Sequence, residues 1–269
     1  MKIHIYNRSI FFYTASILIP WIFWFGAAYL SHKYENQSDT IIGVLSILGL
    51  IAPFVTALII MLPDVSLRTD LFSRVFNFKE VRKTYLFGTF LIMPVSILLA
   101  QAISLLFGYD IEQFNFRNGF TFSSGVFPVW FMLILAPVIE ELAWHSYGTD
   151  CLRSKYNLLI TSILFALFWG VWHFPLSFIK DYYHSNLLEE GLLYSINFFV
   201  SLFPFVIIMN WLYYKTHRNI LVPIVFHITA GYFNEIFCTH PMSKVIQTII
   251  LLIFSYYLWY KDKRFFMDI

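Results

Sequence analysis

Two adjacent carboxylates, Glu140 and Glu141, interrupt a segment of the chain that is otherwise apolar from Val126 to Trp144. A carboxylate that faced lipid near the centre of a membrane helix would cost roughly 2.5–3.5 kcal/mol. An ionisable pair inside such a segment therefore indicates a functional site in which other side chains act as partners.

Three histidines occur in or at the ends of apolar segments: His145, His173 and His227. Glu141 and His145 are four residues apart and share a helix face, so His145 is expected either to bond to Glu141 or to cap the helix. His227 and the two carboxylates each lie about two turns from the cytoplasmic end of their segments, which predicts one common level. Counted from Lys155, His173 lies more than about 20 Å along its segment, nearer the opposite half of the membrane, unless the helix begins later or is bent and tilted. Pro175 predicts that this helix breaks just beyond His173. The other histidines fall in termini or loops, where we expect no role in the site; they are His4, His32, His184, His217 and His240.

One carboxylate and two imidazoles at one level suit two kinds of hydrolysis. Two His and one Glu can bind zinc and leave a position open for water, while a second carboxylate takes the proton of that water. Alternatively, Glu and His activate the water directly and the other His donates to the developing oxyanion. The same groups could relay protons or bind a cation in a transporter, and the residue types leave these alternatives open.

The composition is that of a membrane protein. Hydrophobic residues make up 59% of the chain and charged residues 13%, whereas soluble domains carry about 25% charged residues. A net charge of +2 without a basic stripe excludes nucleic acid as a partner and leaves the lipid bilayer as the expected surroundings. We expect Cys151 and Cys238 on opposite sides of the bilayer, where they form neither a disulfide nor a metal site.

Segments of about 20 apolar residues predict an all-α fold, a polytopic bundle of about eight transmembrane helices. We expect a single integral membrane domain, residues 1–269, because the sequence contains no repeat, linker or low-complexity tract. The eight predicted spans are residues 10–30, 41–62, 85–107, 127–147, 158–179, 192–214, 220–237 and 245–260.

The distribution of positive charge predicts the orientation. Fourteen of the 18 Lys and Arg residues fall on one side of the predicted bundle, and the other four are Lys33, Arg117, Lys180 and Lys244. The positive-inside rule therefore predicts that both termini are cytoplasmic. Because no organelle-targeting segment is visible, we expect the inner membrane of a prokaryote. The connection 63–83 mixes apolar and basic residues, which suits either an amphipathic segment on the inner leaflet or a solvated loop.

Three short motifs on separate spans resemble one protein family. The run Glu140-Glu141-Leu-Ala-Trp-His145, with Gly148 following, is similar to a Glu-Glu-x-x-x-Arg motif that is soon followed by Gly. Trp169 and His173 match an aromatic residue followed four positions later by His. His227 matches a His that is followed four positions later by Asn. In this order the motifs resemble the CPBP family (CAAX proteases and bacteriocin-processing enzymes, Abi/Rce1-like), over residues 127–236.

The resemblance implies an intramembrane metalloprotease of the CAAX prenyl protease type, an endopeptidase that hydrolyses a peptide bond near the cytoplasmic membrane face. It implies that Glu140, Glu141, His173 and His227 are catalytic. If Zn2+ is used, its ligands would be Glu140, His173 and His227. The implied partner is a membrane-associated protein or peptide substrate; eukaryotic members remove the last three residues of prenylated proteins, whereas prenylation of this chain's substrate is left open.

The chain departs from the family motifs at two positions. His145 stands where the family has Arg, and it lacks the fork with which Arg binds a carboxylate. Gly231 stands where the family has Asn, and Asn234 is about 4.5 Å further along the helix. These departures keep two other hypotheses open: a catalytically silent relative that acts as a binding, immunity or scaffold protein, and a small proton-coupled carrier. The absence of evident paired halves with broken helices argues against the carrier.

Overall fold

The computed structural model describes residues 3–33, 39–75, 81–122 and 127–268. These residues are mostly helical, and short 3-10 turns at Ile3–Ile5, Ile111–Phe114 and Phe174–Phe178 interrupt the connections. The helices are α1 (Ser9–Lys33), α2 (Asp39–Met61), α3 (Val65–Val75), α4 (Lys83–Leu105), α5 (Val129–Ala143), α6 (Thr149–Arg153), α7 (Leu158–Trp172), α8 (Tyr183–Glu190), α9 (Leu192–Lys215), α10 (Leu221–Ile236), α11 (Pro241–Lys261) and α12 (Lys263–Met267).

The predicted all-α membrane bundle is confirmed. Among the described residues, 7 helical segments are long and apolar enough to cross a membrane. The seventh predicted span, residues 220–237, corresponds to α10, whose 16 residues extend about 24 Å and fall short of a hydrocarbon core of about 30 Å. The helix nevertheless joins the two ends of the bundle. At one end the Ile220 N–H donates to the Arg74 carbonyl. At the other end the Arg117 N–H donates to the Ile236 carbonyl.

Both described termini lie at the same end of the bundle, which we call the terminal end. The Ser154 hydroxyl donates to the Tyr6 carbonyl, and Arg153 donates to the Asp268 carbonyl. The turn between α6 and α7 therefore contacts both ends of the chain. The opposite end, which we call the distal end, includes Cys238, whose N–H donates to the Asn115 carbonyl.

The connection 63–83 contains an amphipathic helix, α3. This agrees with the first of the two predicted alternatives, an amphipathic segment, and not with a solvated loop. Leu67, Leu71 and Arg74 lie on its buried face, whereas Phe72 is exposed. The predicted apolar positions Phe76 and Phe78 lie outside the described residues. Because Arg74 is on the buried face, this helix inserts a guanidinium group into the bundle.

The span that carries the carboxylates is longer than predicted. Its predicted end at residue 147 is wrong, because a π-helical turn, Trp144–Gly148, follows α5 and continues directly into α6. Glu140 is therefore 13 residues before the end of the helix at Arg153, about 20 Å, and His173 is 15 residues after the start of α7 at Leu158, about 22 Å. Since only a short turn joins α6 to α7, the two residues reach the same depth.

Close packing of α1 against α2 supports the wall of the site. The Trp24 indole N–H donates to the Ser46 carbonyl at 3.0 Å. A Cβ atom at Gly49 would overlap that indole ring, so the close approach of the two helices requires glycine at this position. Ser46 in turn faces the cavity that α5 borders.

Candidate active site

Glu140 is held by two tryptophans. The Trp169 indole Nε1–H donates to its Oε2 at 2.9 Å, and the Trp144 Nε1–H approaches the same atom at 3.5 Å. Both donors bind one oxygen, which leaves Oε1 available for other chemistry. The side chain is buried, with 7% of its surface exposed, so the carboxylate has a fixed orientation in a largely dry site.

Glu141 has no exposed surface and bridges two imidazoles. Its Oε1 accepts from Nδ1 of His227 at 2.7 Å, and its Oε2 pairs with Nδ1 of His145. The predicted bond between Glu141 and His145 is thus confirmed, and His145 does not cap the helix, because the helix continues. Nε2 of His145 contacts Oδ1 of Asn210 at 3.0 Å. Glu141 is not among the residues that line the cavity. It orients His227 through the hydrogen bond from Nδ1, on the side of the ring that faces away from the cavity.

His173 is the first residue after α7, and the break that Pro175 predicts is present. Its Nδ1 lies 2.7 Å from the Trp169 carbonyl oxygen. A carbonyl can only accept, so Nδ1 carries the proton and Nε2 of the neutral ring is an acceptor. The sequence-based estimate placed His173 away from the carboxylates. The longer α5–α6 helix corrects it, and Trp169 links the two directly.

Glu140, His173 and His227 line one cavity of about 290 Å³ between the helices. The Trp169 ring contacts both imidazoles, with centroid distances of 5.4 Å to His173 and 5.2 Å to His227. The rest of the wall is largely apolar, with contributions from α2, α4, α5, α9 and α11. A mostly apolar cavity with a few convergent polar groups is the usual form of a ligand site.

The sequence did not indicate His184, which nevertheless lies at the cavity. It is the second residue of α8, lines the cavity and stacks on His173 with ring centroids 5.0 Å apart. Burial, and to a smaller extent the neighbouring His173, hold the pKa of His184 well below its usual range. No spacing pattern indicated this residue, since α8 is a short helix in the connection between two spans.

Charged residues close the bundle at the terminal end. Arg74 is buried and donates to the carbonyls of His145 and Ser146, both at 2.8 Å. It also binds Asp150 at 3.1 Å, and Arg218 binds the same carboxylate. None of these three charged residues was predicted from the sequence to belong to the site. Their hydrogen bonds hold the π-helical turn that follows the two glutamates.

Comparison with known proteins indicates the family of the chain. The model of a family described as type II CAAX prenyl endopeptidase Rce1-like matches residues 122–233. A relative from the archaeon Methanococcus maripaludis, named CAAX prenyl protease 2, is 36% identical over 265 residues, which cover 98% of this chain and 97% of the relative. The chain belongs to the Rce1-like family. It is accordingly a multi-pass membrane protein of a family of CAAX prenyl proteases.

Both departures from the motifs of the Rce1-like family are located in the site. His145 is fully buried between Glu141 and Asn210. Gly231 lines the cavity, and a Cβ atom there would meet Leu133 at 3.6 Å, an ordinary contact. Asn234 lines the same cavity one turn beyond Gly231. The position of the family Asn is thus empty of a side chain, while an amide is present further toward the distal end.

The donor set for a metal does not converge in this arrangement. Within the described ranges, no three His, Cys, Asp or Glu side chains form a group that could hold a metal ion. Nδ1 of each imidazole is bound within the protein, which leaves Nε2 of each as the nitrogen that a metal ion would use. Because the donor side chains do not converge, the arrangement does not form the zinc site that the resemblance implies, and the chemistry below uses the side chains alone.

The cavity extends toward the distal end. Its lining includes Phe122, Tyr183 and Glu235, which belong to distal connections or to the distal end of α10. At the terminal end, Trp144 and Tyr213 are fully buried beneath the charged cluster. If the termini are cytoplasmic, the distal mouth of the cavity opens at the outer face of the membrane. Cleavage near the cytoplasmic face would instead require the mouth to open toward the cytoplasm, so these two sequence-based expectations conflict.

Proposed function

We propose that the chain is an intramembrane endopeptidase of the CAAX prenyl protease type, in which Glu140 activates the attacking water. The observation that carries the proposal is the shared cavity of Glu140, His173 and His227. Membership of the Rce1-like family supports the substrate class, a membrane-associated protein or peptide. Prenylation of that substrate is part of the proposal, taken from the name of the archaeal relative.

Glu140 takes the proton of the water as the oxygen attacks the peptide carbonyl. Trp169 and Trp144 bind Oε2, so Oε1 is the oxygen that accepts the proton. The neutral Nε2 of His173 accepts the second water hydrogen and aims the lone pair at the carbonyl carbon. Both groups are positioned before the substrate arrives, because their hydrogen bonds are to the protein itself.

His227 stabilises the negative charge that develops on the carbonyl oxygen. Its Nδ1 is bound by Glu141, which leaves Nε2 to face the cavity. When Nε2 is protonated, the Glu141 carboxylate offsets the ring charge, and Nε2–H donates to the oxyanion. Glu140 then passes its proton to the leaving nitrogen as the C–N bond breaks, so that one water is consumed and a carboxylate and an amine are released. Glu141 and His145 act here as positioning residues.

The experiment is cleavage of membrane-anchored peptides by the purified protein in detergent. Prenylated and unprenylated peptides are compared, with Glu140→Gln beside the wild type and zinc content measured on the same samples. Loss of the general base is expected to lower the rate by about 10²–10⁴-fold. Glu190→Gln removes an exposed carboxylate on α8 and is expected to keep the wild-type rate.

Two results would contradict the proposal. Cleavage that Glu140→Gln leaves intact would remove the assigned base. A well-folded wild type that cleaves neither peptide but still binds one would favour the silent relative, whose binding role needs no water activation. Zinc present at one ion per chain, and lost in His173→Ala, would show that the ligands converge in solution although they do not in this arrangement.

A further inference from the structure

His145 has one polar partner at each ring nitrogen, and both partners are oxygen atoms. Its Nδ1 pairs with Oε2 of Glu141, and its Nε2 lies 3.0 Å from Oδ1 of Asn210. All three residues are fully buried, so bulk water does not reach these atoms. An ionised carboxylate and an amide oxygen can only accept hydrogen bonds. Both ring nitrogens therefore carry a proton, and the ring is an imidazolium.

The orientation of the Asn210 amide decides this result, and Ser162 on α7 sets that orientation. Ser162 donates its only hydroxyl hydrogen to the Leu158 carbonyl at 2.8 Å. Its oxygen is left to accept, and it accepts from Nδ2 of Asn210 at 2.9 Å. Because Nδ2 is directed to Ser162, Oδ1 faces His145. The opposite orientation would direct an N–H at Nε2, and the ring would then carry a proton only at Nδ1.

The charge of the site supports an imidazolium at this position. Glu140 and Glu141 are adjacent buried carboxylates, and a buried charge without an opposite charge is strongly destabilising. The His227 imidazolium of the proposed mechanism balances one of the two, and an imidazolium at His145 balances the other. The ionic cluster at the terminal end balances itself with two guanidinium groups and two carboxylates, which are Arg74, Arg218, Asp70 and Asp150.

We propose that Asn210 and Ser162 hold His145 as an imidazolium, which supplies beside Glu141 the positive charge of the arginine in the family motif. Arginine needs no such support, because its guanidinium group is always charged. A histidine needs a buried acceptor at Nε2 as well as at Nδ1. Asn210 and Ser162 are thus positioning residues: they keep Glu141 ionised, and Glu141 orients His227. Their effect on the reaction rests on the proposed function, whereas the charge of the His145 ring does not.

The charge of the ring is measured by NMR on the purified full chain with ¹⁵N-labelled histidine, at neutral pH and without substrate. A ring nitrogen that carries a proton is distinguished from a bare one by its chemical shift and its directly bonded hydrogen. The signals of His145 are identified by their loss in His145→Gln and in His145→Arg. We expect a hydrogen on both nitrogens in the wild type. In Asn210→Leu, and in Ser162→Ala, which frees the amide to turn, we expect a hydrogen on one nitrogen only.

Asn197→Leu is the matched control for Asn210→Leu. It removes an amide from the same helix, α9, at a residue that does not line the cavity. It is expected to keep both hydrogens on His145 and the wild-type kcat. A bare His145 nitrogen in the wild type would overturn the proposal and would indicate the opposite orientation of the Asn210 amide.

Peptide cleavage measures the consequence for catalysis. His145→Arg keeps a positive charge beside Glu141 and His145→Gln does not, so kcat of the first is expected to exceed that of the second by about tenfold or more at similar KM. Asn210→Leu is expected to lower kcat by about tenfold in the protein with the native histidine, but by less than about threefold in His145→Arg, because arginine keeps its charge without the amide. An equal loss in both backgrounds would show a merely structural role for Asn210 and would overturn the proposal.

The two measurements separate this inference from the proposed function. Two hydrogens on His145 in the wild type and one in Asn210→Leu, without any peptide cleavage, would keep the charge assignment and remove the protease. Cleavage that depends on Glu140, with a bare His145 nitrogen in the wild type, would keep the protease and overturn the inference.

Discussion

The Trp169 indole N–H donates to Oε2 of Glu140 at 2.9 Å, across two antiparallel helices that one short turn connects. Trp169 is also in ring contact with both His173 and His227. One indole therefore orients the candidate base and contacts both imidazoles.

Trp169→Phe is expected to lower kcat by about tenfold with little change in KM, because the Glu140 carboxylate loses its closer donor while the cavity keeps its apolar wall. Trp172→Phe is the matched control. Its indole N–H is buried and makes no bond within the described part of the chain, so removing that N–H leaves Glu140 in place. A rate loss of equal size in both variants, measured by peptide cleavage, would refute this role for Trp169.

Arg74→Met is expected to destabilise the protein by about 3–5 kcal/mol, because it leaves Asp150 with one guanidinium partner fewer in a buried site. The carbonyls of His145 and Ser146 lose their donor in the same variant. Arg68→Met removes a more exposed guanidinium from the same helix, which bonds Leu62, and should cost less than about 1 kcal/mol. Thermal unfolding in detergent measures both, and equal melting temperatures would contradict the assigned role.

Asp70 should contribute to acid sensitivity. Burial raises its pKa, but the guanidinium groups of Arg74 and Arg218 together outweigh burial and hold the pKa of Asp70 below the usual value of 3.8 for an aspartate. A carboxyl with a lowered folded-state pKa stabilises the fold above its unfolded pKa, and this stabilisation is lost as pH falls through the folded value. The wild-type melting temperature should therefore fall more steeply below pH 3.8 than that of Asp70→Asn. The exposed Asp268→Asn should follow the wild type, and identical slopes in all three would contradict the assignment.

The native cysteines can establish which face the cavity opens to. Cys238 is exposed at the distal end, and Cys151 is buried. The charge distribution predicts cytoplasmic termini, so a membrane-impermeant maleimide added to intact cells should label Cys238, and Cys238→Ser should abolish the label. Labelling only after lysis would reverse the predicted orientation and turn the cavity toward the cytoplasm, as the resemblance implies.

Much of this protein follows from local sequence. Apolar segments of membrane length predict a multi-pass helical bundle, because a helix in lipid must satisfy its own backbone hydrogen bonds. The spacing of Glu141 and His145 predicts their bond, since residues four apart share a helix face. Pro175 predicts a helix break next to His173, and α7 ends there, at Trp172. The motifs themselves are short and local, which is why they indicated the family.

Tertiary structure decided the rest. The depth of His173 depended on a π-helical turn that no residue pattern predicts, and the path of α5 into α6 extended the span by six residues beyond the predicted end at 147. Arg74 and His184 lie outside the predicted spans or at their margins, and only the folded chain brings them to the site. Local sequence determines which residues share a helix face, because helix geometry repeats every few residues. Contacts between helices depend on the paths of connections such as α3 and α8, and those paths are set by packing between residues that are far apart in the chain.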